Sequence, residues 1–383
     1  MTRKTFDFVV VGAGVFGAWT AHELLRSGRS VLLLDAYGPA HSRASSGGES
    51  RVIRMGYGRD ELYTRWSMRS LEKWKELAER VGHTLFHPTG MLWLMGKDDT
   101  YTRQSQQTLE KVGVVYQKLS VHDLEDKYPQ ISSAGIEWAL WEPESGVLMA
   151  RQSVQALVAD SIRQGLQYHT ASIIAPTAKG KLDHVVTRAG ETISASAFIF
   201  ACGAWLPTLF PDLLAQRIFP TRQEVFFFAP PPGDSSFTYP AMPAWFHHLA
   251  LVYGVPDLEN RGFKVSVDKH GPRFDPETGT RLPSAEGLAI AREYIAQRFP
   301  KLKDAPLSES RVCQYENTSN GDFVIDHHPA IANVVIAGGG SGHGFKHGPA
   351  VGEYLNRLLT TSAAVEPRFA LAGKSTTQAR NVF

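Results

Sequence analysis

Two apolar runs near the start of the chain, Phe8–Val11 and Val31–Leu34, are continuous rather than alternating, as strands covered on both faces require. Between them stand Gly12, Gly14 and Gly17, then a stretch with Ala18, Ala21, Leu24 and Leu25 on one helical side, stopped at Gly28. The pattern predicts a strand–helix–strand unit whose second strand ends at Asp35. The segment "ELYTRWSMRSLEKWKELAERVG" repeats Leu71, Trp74, Leu77 and Ala78 at helical spacing. Near the other end, "NVVIAGGGSGHGFKHGPAVGE" repeats the apolar run, the glycine turn and the helix start.

From about Leu85 the period shortens. "TGMLWLMG" and "GIEWALWEPESGVL" read as antiparallel strands, "QSVQALVADSIRQG" as a helix and "ISASAFIFACGAW" as another strand entering a glycine turn. A second β-rich stretch starts at "QEVFFFAPPPGD" and closes with the helical "AEGLAIAREYIAQRFP". Nucleotide-type elements thus recur at both ends and near residue 200. The expected fold class is α/β, a discontinuous Rossmann-like domain (1–84, 150–215 and 310–383) with an inserted α+β substrate domain (85–149 and 216–309) built on an antiparallel sheet.

Composition alters this picture little. With 383 residues, 43% hydrophobic and 20% charged, the chain has the make-up of an ordinary globular protein with a sizeable core. A net charge of +2 and the lack of basic runs interleaved with aromatics give no case for nucleic acid. Cys202 and Cys313 are too few and too far apart for a disulfide framework or a metal site, so no metal is expected. Arg3 and Lys4 precede an apolar stretch that runs straight into glycines, which reads as a first strand and not as a signal peptide. No apolar run approaches the roughly 20 residues of a membrane span. A soluble, reduced, cytoplasmic setting is the expectation.

In Gly12-x-Gly14-x-x-Gly17 the first glycine permits the tight turn, the second lets backbone approach a pyrophosphate, and the third lets helix and strand pack closely. The helix N-terminus offers N–H groups and a positive dipole end to the anion, with Val15 and Phe16 in its first turn. Asp35 stands where a carboxylate would bind a ribose hydroxyl. NAD and FAD share this fingerprint. FAD is favoured because glycine turns return at "ACGAWLP" (Cys202, Gly203, Trp205) and at "AGGGSGHG" (Gly340, Gly342, Gly344), where an extended FAD must be held again. The bland alternative for the last glycines is a turn between a core strand and a helix. Gly338–Gly340 suggest backbone pressed against something flat. Arg51 and Arg54 follow the serine- and glycine-rich "ASSGG", whose Ser45 and Ser46 hydroxyls suit an anion.

Together "GAGVFGAWTAHELLRSGRSVLLLD", "SSGGESRVIR", "CQYENTSNGDFVID" and "SGHGFKHGPAVGE" resemble the monomeric sarcosine oxidase family, which also holds N-methyltryptophan oxidase, pipecolate oxidase and the fructosyl-amine oxidases. These motifs keep the family's order over nearly the whole chain. The first is generic to flavoproteins, whereas "SGHGFK" with an upstream Cys-x-Tyr is far more specific.

The resemblance implies a monomeric, two-domain flavoenzyme that oxidises a secondary amine of an amino acid. FAD takes the hydride equivalents, O2 reoxidises it to give H2O2, and the imine hydrolyses. It also implies FAD bound covalently through Cys313, whose plain alternative is a small buried hydrophobe, as Cys202 is. By the same resemblance Arg51 lies close to the flavin ring, Arg54 and Lys346 bind substrate carboxylate, and His343 is an active-site histidine. His347 is its neighbour without a chemical role. Tyr253 matches a substrate-pocket tyrosine. Lys264 matches the lysine that activates O2, where a fixed positive charge stabilises developing superoxide; without the family it would read as an exposed lysine on a strand.

Two positions depart from close sarcosine oxidases, which have histidine where this chain has Gly47 and Asp268. Gly47 is expected to open space near the flavin, and Asp268 to replace a cationic group with an anion. Both point away from sarcosine toward a larger amine or one with a second positive group. The rivals are a flavin dehydrogenase that passes electrons to a carrier, a primary-amine oxidase of the glycine or D-amino-acid oxidase type, and a nucleotide-binding regulatory protein without turnover.

Overall fold

The computed structural model describes residues 5–97 and 100–378; Arg3 and Lys4 lie outside them. The apolar runs form a sheet in the order Val324–His327, Val334–Gly338, Thr192–Phe200, Thr5–Val11, Val31–Asp35, Gln167–Thr170. The four neighbouring pairs from Val334–Gly338 to Gln167–Thr170 are parallel, and Val324–His327 closes one edge antiparallel. A short strand, His184–Val186, adds antiparallel to Thr192–Phe200. Every residue of Val31–Asp35 and Val334–Gly338 is buried, which is why these segments carry no polar alternation.

Helices Val15–Arg26 and Gly348–Thr360 pack on one another by means of small residues. A Cβ on Gly352 would come within 2.7 Å of the Trp19 carbonyl oxygen, and one on Gly348 within 2.5 Å of Val15. The helix expected around Leu71–Ala78 spans Glu61–Val81, started by the Asp60 carboxylate and ended by Gly82 in the left-handed region.

The second sheet has eight strands, in the order Leu307–Thr318, Ile218–Phe228, Phe263–Val267, Val252–Val255, Ala244–His247, Met91–Met95, Trp138–Glu142, Gln117–Leu119. It is antiparallel except where Ala244–His247 meets Met91–Met95, the seam between the two β-rich stretches of the chain. The strand Leu307–Thr318 pairs with Ile218–Phe228 along its length, so the boundary expected at residue 310 falls inside a strand of this sheet. A small sheet joins Ser50–Ile53, Gly146–Met149 and Phe86–His87. The stretch "GIEWALWEPESGVL" divides between sheets: Trp138–Glu142 joins the eight-stranded sheet and Gly146–Met149 the small one. Among the described residues no helix is long and apolar enough to cross a membrane, and no cluster of three or more His, Cys, Asp or Glu could hold a metal ion.

Candidate functional site

A cavity of about 590 Å³ lies where the parallel sheet meets the long strand Leu307–Thr318. Its wall runs from Asp35 and Tyr37, past Gly12, Gly14, Val15 and Phe16, to Ser45, Ser46, Arg51 and Cys313. Cys202, Gly203 and Trp205 line it, as do Gly340, Gly342 and Gly344. The three glycine turns thus converge on one elongated set of residues.

The backbone explains the shape. Gly12 has φ 104°, and a Cβ there would lie 2.4 Å from the Ala201 carbonyl oxygen, so only glycine fits. Gly17, the third glycine of the fingerprint, is not on the cavity wall. A Cβ there would fall 1.8 Å from the Gly12 carbonyl oxygen, in keeping with the helix–strand packing expected of it. Gly338 and Gly340 line the cavity and Gly339 does not, while added Cβ atoms on Gly338 and Gly339 would meet Leu206 and Thr318 at 2.3 and 2.6 Å. Gly47 opens no space either. A Cβ there would lie 2.0 Å from the His41 carbonyl oxygen, and its own carbonyl accepts two bonds from Arg151.

Asp35 accepts from the N–H groups of Ala13, Tyr37 and Gly38, at 2.7, 2.9 and 2.9 Å. These use three of a carboxylate's roughly four acceptor positions, leaving capacity for a ribose hydroxyl. Ser46 Oγ accepts from the Val15 N–H at 3.0 Å, and Ser45 donates to Glu316. The helix Val15–Arg26 has no acidic residue in its first turn and opens at this wall. A glycine-lined turn, an acid-free helix N-terminus and a nearly saturated Asp35 fit an FAD.

The two arginines go to different places. Arg51, on the strand Ser50–Ile53, turns to the cavity and donates to the carbonyls of Ser45 and Ser50 and to Cys313 Sγ, the last at 3.2 Å. Arg54, in the loop after that strand, is buried away from the cavity wall, its guanidinium 4.3 Å from the Tyr57 ring and 4.8 Å from that of Trp93. Cys202, on the cavity wall, donates its thiol to the Val11 carbonyl oxygen at 3.3 Å, and desolvation pushes that thiol far above the usual range.

Beyond the cavity lies a buried polar cluster. Lys346 and His347 sit on a single 3-10 turn, Phe345–His347, ahead of the helix Gly348–Thr360. Trp74 pins that turn by stacking on Phe345 and donating to the Lys346 carbonyl. Lys346 Nζ donates to the Tyr57 hydroxyl at 2.8 Å and to the His343 carbonyl at 3.0 Å. The same hydroxyl lies 3.3 Å from His343 Nδ1 and 2.9 Å from His347 Nε2. His343 Nε2 lies 2.9 Å from the Gly321 carbonyl oxygen, which only its N–H form can satisfy, so Nδ1 of the neutral ring is an acceptor. Burial and Arg54 hold Lys346 well below the ordinary lysine range, and burial with Lys346 does the same for His347. His343 and Lys346 stand outside the cavity wall, in this adjoining cluster. Tyr57, the hub, was not anticipated. Its one sequence signal is its place three residues past Arg54 in the same loop.

Strand alternation puts Phe263 and Val265 in the apolar core and Lys264 on the opposite face. Lys264 is 2% exposed, donates to the Ser50 carbonyl at 3.0 Å, and lies 5.5 Å from the Tyr253 ring. Burial, then Arg51, pulls its pKa down to about 7, so its charge is not fixed at neutral pH. Asp268 is buried too, and Tyr315 donates to its Oδ1 at 2.7 Å. Burial pushes Asp268 up to about 7 against that bond and the pull of Arg54 and Lys346.

This fold and cavity define a dinucleotide-dependent oxidoreductase. A family model for FAD dependent oxidoreductases matches residues 7–358, and the chain belongs to that family. It is 31% identical over 376 residues to a monomeric sarcosine oxidase from Bacillus sp. (strain NS-129), covering 93% of both chains. It is 32% identical over 392 residues to the peroxisomal sarcosine oxidase of Homo sapiens, covering 97% of this chain and 98% of that one. Its fold matches that of L-proline dehydrogenase from P. horikoshii with a TM-score of 0.82, at 21% identity over 96% of this chain and 97% of that one.

Proposed function

We propose that this flavoprotein amine oxidase acts on the secondary amine of an N-substituted or cyclic amino acid, with O2 as acceptor and H2O2 as product. The observation that carries the reading is the pairing of two buried basic side chains, Arg54 and Lys346, around Tyr57, just past the glycine turn that lines the cavity. Buried cations need an anionic partner, and a substrate carboxylate meets that need. The sarcosine oxidases among its relatives support the amine.

FAD, when bound, supplies the two-electron acceptor for the C–H bond next to nitrogen. Gly12, Gly14 and the N-terminus of Val15–Arg26 would hold its pyrophosphate and Asp35 its ribose, while Gly340, Gly342, Gly344 and Arg51 would hold the ring end. Arg54 and Lys346 bind the carboxylate and fix the amine's position, the larger part of what a preorganised site contributes. Tyr253 bounds the substrate space. His343, tied to Gly321 and Tyr57, keeps the turn that presents Lys346 in place. Lys264, charged below about pH 7, offers its ammonium where O2 acquires negative charge.

Cys313 carries the covalent link to FAD in this reading. Its sulfur accepts from Arg51 on the cavity wall, where the ring end of FAD would lie in this reading. After acid precipitation the yellow colour should stay in the pellet, and Cys313→Ser should release it. Free FAD from the wild type would contradict the link. For the activity, a panel of N-alkyl, cyclic and glycated amino acids in air should yield H2O2 with at least one member. Oxidation of an amino acid with an added electron carrier but no peroxide in air would assign the enzyme to the dehydrogenases instead.

A further inference from the structure

The loop that carries Arg54 and Tyr57 is held by an acidic side chain that the binding scheme does not use. Glu142 ends the strand Trp138–Glu142 and is 1% exposed. Its Oε2 accepts from the Met55 N–H at 2.7 Å and from the Ser145 hydroxyl at 2.6 Å. Its Oε1 accepts from the Gly56 N–H at 3.1 Å and from Trp93 Nε1 at 2.8 Å. Together these bonds use a carboxylate's roughly four acceptor positions, so Glu142 has none left for a substrate amine. Met91 stands opposite Glu142 in the ladder, and Trp93, two residues on, shares its face of the eight-stranded sheet. A Cβ on Gly56 would lie 2.8 Å from Glu142 Oε1 and 3.3 Å from the Trp93 ring, so the loop backbone rests directly on both side chains.

We propose that Glu142 is a positioning residue for carboxylate recognition, which sets the place of the Arg54 guanidinium through the backbone of Met55 and Gly56 and through the Trp93 ring. The path is short. Arg54 donates to the Gly56 carbonyl, while the N–H of the same glycine is held by Glu142. The guanidinium lies 4.3 Å from the Tyr57 ring and 4.8 Å from the Trp93 ring, and the Trp93 indole N–H goes to Glu142. The Gly56 and Trp93 contacts thus lead back to one side chain. Gly58, farther along the loop, is bound independently: its N–H donates to Ser105 Oγ and its carbonyl accepts from Thr108, both at 2.7 Å. Losing the Glu142 bonds should therefore release the Arg54 end of the loop and leave the far end anchored.

This inference rests on the proposed carboxylate site and gives it a supporting residue that does not itself touch the ligand. The hydrogen-bond pattern calls for two acceptor oxygens at this place. Met55 and Gly56 donate to different ones, so an amide in either orientation sets its NH2 against one of the two loop N–H groups. A buried donor facing another donor is left unsatisfied, and the loop relieves that only by moving. Glu142→Gln keeps the size of the side chain and so tests the acceptors rather than the packing.

The test uses the holoenzyme and two ligands of one size: propionate, a carboxylate with no amine to oxidise, and propionamide, which lacks the charge. Calorimetric titration reads both affinities. The wild type should prefer propionate. In Glu142→Gln propionate should bind roughly tenfold to a hundredfold more weakly, while propionamide affinity and flavin content hold. A merely structural role would lower flavin content or weaken both ligands alike. Either result would overturn the inference, as would unchanged propionate affinity. If Glu142→Gln yields no folded protein, Trp93→Phe decides, since it keeps a ring beside Arg54 and removes the N–H to Glu142. A selective loss of propionate affinity in that variant supports the inference, and an unchanged preference overturns it. A wild type that binds propionate no better than propionamide would overturn the carboxylate site itself.

Discussion

The two glycine turns at the ends of the chain look alike in sequence and do different work. At Gly12–Gly17 the strand runs directly into the helix Val15–Arg26, whose first turn of Val15, Phe16, Gly17 and Ala18 holds no ionisable group. That turn can offer only backbone N–H groups and space. At Gly338–Gly344 a single 3-10 turn, Phe345–His347, stands between glycines and helix, and it carries Lys346 and His347. Three extra residues change a backbone cradle into a carrier of side chains. The lesson is that a glycine turn binds by what it lacks, and becomes a recognition element only when a further turn projects charge beyond it.

Breaking the first turn should have the largest effect. Gly17→Val places side-chain atoms where the Gly12 carbonyl oxygen lies. No rotamer relieves a Cβ clash with backbone, so the variant should yield no folded, yellow protein. Soluble yield and the flavin absorbance band check this. Normal flavin content would show that the turn can open without loss.

The second turn should fail selectively. Lys346→Met keeps most of the volume and removes the cation that meets Tyr57. Losing one partner of a buried charge pair costs about 2–5 kcal/mol, so propionate should bind some 30- to several thousand-fold more weakly while flavin content holds. Loss of flavin together with affinity would mean that the second turn is a scaffold like the first.

A smaller, two-sided effect is expected at Lys264, which belongs to neither turn. Lys264→Met should slow reoxidation of the reduced enzyme by roughly 10²–10³, the usual loss for one preorganised charge, and leave reduction nearly unchanged. In the wild type the lysine is protonated below about pH 7 and neutral above it. The reoxidation rate should therefore fall as pH rises through that range, and the variant should show no such fall. Stopped-flow traces of the two half-reactions separate these outcomes.

Much of this molecule was legible in its sequence, and the boundary of legibility is physical. Continuous apolar runs and the spacing Gly12-x-Gly14-x-x-Gly17 report local requirements, so the parallel sheet and the cavity wall could be read. The helix Thr100–Val112 was not read, because "TYTRQSQQTLEKV" buries only four residues, three of them Thr or Ser, and shows little apolar periodicity. Gly47 was misread because its reason for being glycine, the His41 carbonyl, is set by how the loop folds back. Lys264 and Asp268 stand out in the sequence, yet their charge states come from burial and from neighbours distant in sequence. Tyr57 stayed invisible for the same reason. A tyrosine acquires meaning only when Lys346 and His347 arrive from 289 and 290 residues away.

The account's central claim is that an amine is oxidised because its carboxylate is held by Arg54 and Lys346. Under nitrogen, the holoenzyme should be mixed with an active N-alkyl amino acid and, separately, with the same amine lacking the carboxyl group, while the flavin absorbance is followed. The account predicts rapid bleaching by the amino acid, little or none by the plain amine, and about one H2O2 per bleached flavin when air is readmitted. Equal bleaching by both amines, or bleaching by neither, would contradict it.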